Sequence, residues 1–109
     1  MKTFKNQQTE ITMTLINEDK TKSITTMTYA DLAIMTLNIP PKEGGWLREE
    51  SRLRFDIEDK IKDLKVGDEV ELENTEFKKI HELSAQNWQM KHRDTIAYED
   101  YLDEVSKQK

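Results

Sequence analysis

Glu10-Ile11-Thr12-Met13-Thr14-Leu15-Ile16-Asn17 is the stretch on which the reading of this chain turns. Ile11, Met13 and Leu15 alternate with Thr12 and Thr14, and a period of two is the signature of a strand with one apolar face. Asn17-Glu18-Asp19-Lys20-Thr21-Lys22 is polar enough to be a turn, and Ser23-Ile24-Thr25-Thr26-Met27 resumes the β-branched composition. The pair predicts a β-hairpin whose apolar face gathers Ile11, Met13 and Leu15 with Ile24 and Met27. A lone hairpin is marginal in water, so it must lie on helices or on another chain. Residues 1–9 are polar and are expected to be loose.

After the hairpin the period changes. Thr28 and Asp31 are spaced for a capping box, and the helix behind them, Leu32 to about Asn38, carries Ala33, Ile34, Met35 and Leu37 on nearly all sides. It is expected to be the most buried helix, ended by Pro40-Pro41. From Trp46 to Leu64 the residues Trp46, Leu53, Ile57, Ile61 and Leu64 recur at helical steps, with Phe55 off the stripe and directed at a second neighbour. Val66-Gly67-Asp68 reads as a turn, and residues 69–73 as a strand or an extended linker. Asn74 is expected to cap a helix through Phe77, Ile80 and Leu83, and Asp94 a last helix with Ile96, Tyr98, Tyr101, Leu102 and Val105. The expected fold is α+β and helix-dominated: an N-terminal β-hairpin followed by a three- to four-helix domain. Its core should hold Leu32, Met35, Leu53, Ile57, Ile61, Ile80 and Leu83, with Trp46, Phe77 and Trp88 packed among the helices.

Composition narrows the function. The chain has 109 residues, room for one domain, with 35% apolar against 36% charged residues, so its core is small. There is no cysteine, which removes disulfides, thiolate catalysis and zinc–thiolate sites. No apolar run approaches the roughly 20 residues of a membrane helix, and the N-terminus lacks the apolar core of a signal peptide. The expectation is a cytoplasmic protein with no membrane contact. A net charge of −5 argues against broad nucleic-acid binding.

The motifs are weak. His92-Arg93-Asp94 spells the centre of a kinase catalytic loop but lacks every other part of that machinery. His81 and His92, with Glu82 and Asp94 near them in sequence, match no compact metal-ligand spacing. Gly44-Gly45 before a helix could cradle a phosphate, although two glycines after Pro-Pro more often make a turn. No carboxylate has the apolar flanks that acid catalysis needs. The chain is therefore expected to be no enzyme and to need no cofactor or metal.

Several pieces carry a resemblance: Met27-Thr28-Tyr29-Ala30-Asp31-Leu32, Asn38-Ile39-Pro40-Pro41-Lys42-Glu43-Gly44-Gly45-Trp46, Leu53-Arg54, Val70-Glu71-Leu72-Glu73, and Trp88 with His92-Arg93-Asp94-Thr95-Ile96. In these, from Met27 onward, the chain resembles small bacteriophage-encoded accessory proteins. The resemblance implies that residues 1–26 are an N-terminal extension carrying the hairpin arm and residues 27–109 the helical domain. It also implies a site of action in the host-cell interior or on the virion, and it brings no catalytic residue.

Two functions follow as expectations. The favoured one is a protein-interaction module, a phage accessory or assembly protein that binds itself or another phage or host protein. Its contact residues would be Ile11, Met13 and Leu15 of the hairpin, Arg48 and Arg52, and Tyr98 and Tyr101 of the last helix. The alternative is a small nucleic-acid-binding regulator using Arg48, Arg52 and Arg54. The hairpin is expected to serve association more than folding, so that a chain beginning at Met27 would keep its own core.

Overall fold

The computed structural model describes residues 1–39, 44–86 and 92–107. Pro40-Pro41, expected to end the first helix, and Trp88, expected in the core, lie outside the described residues. The elements run β1 (Lys2–Lys5), β2 (Gln8–Ile16), β3 (Lys22–Thr28), α1 (Tyr29–Leu37), α2 (Arg48–Ile61), β4 (Glu69–Leu72), α3 (Asn74–Gln86) and α4 (Arg93–Ser106). Helix covers 51% and strand 25% of the described residues, so the chain is the helix-dominated α+β fold that its two periodicities predict. The hairpin is present as β2 and β3, and among the described residues four helices follow it.

The largest departure from the sequence reading is at the N-terminus. Residues 2–5 are not loose. They form β1, antiparallel to β4, with Phe4 opposite Val70 and Lys5 opposite Glu69. Side chains two residues apart share a face of a strand, so Phe4, Val70 and Leu72 look inward together. Phe4 and Leu72 have no exposed surface at all. The short alternation at residues 69–73 is thus a strand because a distant segment pairs with it.

One core cluster draws on every element. It includes Phe4, Ile11, Met27, Leu32, Leu37, Ile57, Ile61, Leu72, Phe77, Ile80, Tyr98 and Leu102. Of the expected core, Leu32, Ile57, Ile61, Ile80 and Leu83 are buried, while Met35 and Leu53 are only partly covered. The boundary implied at Met27 is no boundary in the packing, because Phe4 and Ile11 belong to the same cluster as the helices.

Polar side chains seal the joints. Asn6 is fully buried just after β1. Its Oδ1 accepts from the Ala30 backbone N–H at 2.8 Å, and its Nδ2 donates to the Leu64 carbonyl at 2.9 Å. Its own backbone bonds to Asp68 and Gly67 in the turn before β4. That turn needs Gly67, whose φ of +92° suits glycine. Thr28 and Asp31 make the expected capping box at α1.

The other two caps differ from expectation. At α3 the buried Glu76 carboxylate accepts from the Glu73 backbone N–H at 2.9 Å and from Lys60 at 2.7 Å, so the cap position is Glu73 and not Asn74. The Lys60 ammonium is held above its ordinary pKa by that bond to Glu76. At α4 the cap is His92, whose Nδ1 accepts from the Asp94 N–H at 3.0 Å. Asp94 is freed to accept from the Glu10 backbone N–H at 2.6 Å, fastening the start of β2 to the last helix.

Candidate interaction surface

The hairpin changes character along its length. At its base Thr9, Ile11 and Met27 are buried against the helices. Above them Thr12–Ile16 and Lys22–Thr26 are exposed throughout, so the outer half is an arm standing off the core. The tip is a tight turn in which Asn17 N–H donates to Thr21 O at 2.8 Å. Asp19 accepts from both the N–H and the hydroxyl of Thr21, and those bonds hold its carboxyl below the ordinary value.

The register sorts the arm's side chains. Met13 lies opposite Thr25 and Leu15 opposite Ser23, while Thr14 lies opposite Ile24 and Ile16 opposite Lys22. Directly opposed residues share a face. Ile24 is therefore on the face of Thr14 and Ile16, and not on the Met13–Leu15 face that the sequence suggested. Both faces carry uncovered apolar groups: Ile16 and Ile24 are each 75% exposed on one, Met13 and Leu15 about 40% on the other. The Met13–Leu15 face looks across an open groove of about 440 Å³ toward Ile34 and Met35 of α1, with Met27 at its base. Three of those lining residues are methionines, whose flexible thioethers adapt to varied shapes.

The arm's backbone is as exposed as its side chains. Among the described residues β2 and β3 form a sheet of only two strands, so each has an edge with no strand beside it. Antiparallel pairing alternates residues that bond across the pair with residues that point away. Asn17 bonds to Thr21 across the ribbon, so Leu15 and Met13 also face β3. Thr12, Thr14 and Ile16 then present their N–H and C=O groups to the open edge.

The remaining expected contact residues divide. Arg48 and Arg52 are exposed on α2. Arg54 is not available. Its Nε pairs with Glu50 at 2.9 Å, its Nη1 donates to the Leu37 carbonyl at 2.9 Å, and its guanidinium stacks 4.6 Å from the Trp46 ring. Trp46 thus precedes α2, half-buried under that arginine, instead of joining the helical stripe. Phe55 is 62% exposed and lies at the rim of a small pocket that it lines with Leu37, Asn38 and Trp46. Tyr98 is fully buried with its ring 5.0 Å from Tyr29, so it is core and not interface. Tyr101 is half-buried; its hydroxyl accepts from the Lys5 N–H at 2.7 Å and its ring sits edge-on to Phe4. Burial raises the pKa of both tyrosines. His81 pairs with Asp103 at 2.6 Å, tying α3 to α4.

Glu50 joins α2 to α3 by meeting Arg54 at 2.9 Å and Lys79 at 3.1 Å. Partial burial works to raise its carboxyl pKa, but Lys79 and Arg54 outweigh that and hold it below the ordinary carboxylate value. A lowered folded pKa means that the stabilisation is complete above the unfolded value and is lost as pH falls through the folded one. Glu50→Gln should therefore flatten the fall in melting temperature between about pH 5 and pH 3, read by thermal melts across that range.

Sequence reasoning missed Ile16 and Ile24 as a pair and missed Asn6 entirely. A signal existed for Ile16, because Leu15 and Ile16 are adjacent in a strand and only one of them can face inward. Asn6 carried none, since its partners lie at positions 30 and 64. No protein-family model, curated protein or solved structure matches the chain.

Proposed function

We propose that this chain is a non-enzymatic protein-interaction module whose hairpin arm makes the contact, with self-association as its main form. The observation that carries this reading is the arm itself: Met13, Leu15, Ile16 and Ile24 uncovered on its two faces, beside strand edges that lack partners among the described residues. Exposed apolar groups on a protruding edge cost solubility unless something covers them. The resemblance to phage-encoded accessory proteins supports an accessory or assembly role, within the host cell or on the virion. No helix among the described residues is long and apolar enough to cross a membrane.

The test is the double substitution Ile16→Lys with Ile24→Lys. Both residues are exposed and remote from the core, so the monomer should melt within about 0.5 kcal/mol of the parent. Association measured by sedimentation should be lost. Unchanged association in that variant would place the contact elsewhere on the molecule.

A further inference from the structure

We infer that the partner is a second copy of this chain, joined through the open edge of β2 about a two-fold axis at Thr14. This rests on the interaction-module reading and specifies its geometry.

The charge pattern favours this place for a second copy. Each chain carries −5, so two copies repel on average, and an approach through an uncharged segment avoids placing charges against each other. Between Ile11 and Ile16 β2 has no charged residue, whereas the outward-facing positions of β3 include Lys22, a charge of the kind that blunts an edge. The free part of the β2 edge is also bounded. Glu10 N–H is already bonded to Asp94, so pairing cannot extend past Ile11, and beyond Ile16 the chain turns.

The outward-facing residues in that window are Thr12, Thr14 and Ile16, and their midpoint is Thr14. An antiparallel two-fold pairing there sets Thr14 opposite Thr14 and Thr12 opposite Ile16, all bonding across the new junction. It sets Met13 of each copy opposite Leu15 of the other in the closer, non-bonded positions. Apolar meets apolar on the Met13–Leu15 face and hydroxyl meets hydroxyl at the axis. The window is self-complementary, as an interface between identical patches requires. The product is a four-stranded sheet, and adding strands at an open edge is a recurrent mode of recognition.

The experiment uses the full chain, which has no cysteine of its own. Thr14→Cys should form a disulfide-linked dimer on mild oxidation, because opposed bonding residues have Cα atoms about 5.5 Å apart, within disulfide reach. Thr26→Cys should not, since three strand spacings, about 14 Å, separate the two copies of that residue. Thr14→Pro removes an N–H that faces away from β3, so the hairpin is retained while the edge is closed. It should abolish the dimer in sedimentation, and its helical circular dichroism should match the parent's. Rising salt should strengthen the parent dimer by screening the like charges.

A parent that stays monomeric at roughly millimolar concentration, at any salt, overturns the inference. So does a dimer that survives Thr14→Pro or cross-links through Thr26→Cys. In those last two cases the arm can still be the contact, and only persistence in the Ile16→Lys/Ile24→Lys variant would remove it.

Discussion

A chain beginning at Met27 should fail to melt cooperatively and should lose most of its helical circular dichroism. Residues 1–26 supply Phe4 and Ile11 to the one core cluster. Truncating a buried Phe to Ala costs about 3–5 kcal/mol and a buried Ile about 2–5, and the deletion removes both residues outright. β4 loses the strand it pairs with, and Ala30 and Leu64 lose the Asn6 side chain. Together these losses equal or exceed the roughly 5–15 kcal/mol that holds a domain folded. A sharp melting transition in the truncated chain would show that the helices own a sufficient core without β1. The outer half of the hairpin is a different matter. Thr12 through Thr26 lie outside the core, so the proposed role in association belongs to the arm alone, while the base, with Ile11 and Met27 buried, belongs to folding.

Among polar residues, the largest effect expected from a single substitution is that of Asn6→Ala. It should lower stability by about 2–4 kcal/mol, since the Ala30 N–H and the Leu64 carbonyl would each be left without their partner at about 1–3 kcal/mol apiece. In a domain near this size that is a fall in melting temperature of roughly 10–25 °C. The damage has a specific location. Asn6 holds the end of β1 to the start of α1 and to the segment that follows α2, so hydrogen exchange should accelerate first at Ala30 and around residues 64–68. A melting temperature within about 2 °C of the parent's would mean that water replaces the side chain at both bonds.

Much of the architecture was legible because its causes are local. The capping box at Thr28 and Asp31, the strand period at residues 11–15 and the helical stripe of Leu53, Ile57 and Ile61 each depend on neighbours within a few positions. The candidate site was legible only in part. Ile11, Met13 and Leu15 were found by their alternation, yet the arm's second apolar face, Ile16 with Ile24, depends on which residues the hairpin register sets opposite each other. The aromatic residues Tyr98 and Tyr101 look equally suited to core and interface in a sequence, and burial alone separates that choice.

What the sequence determined by itself is the order and type of the hairpin and helices and the chain's thin, highly charged character. These follow from side-chain periodicity, turn chemistry and composition, which act over short spans. The tertiary structure alone decided that Lys2–Lys5 is a strand and that Asn6 is a buried joint. It also decided that Arg54 is spent on Glu50, Leu37 and Trp46. In β1 only Phe4 is strongly apolar, too little for a strand to announce itself. Its strand state comes from pairing with β4 across more than sixty residues of chain, a contact between segments whose local patterns carry no record of each other.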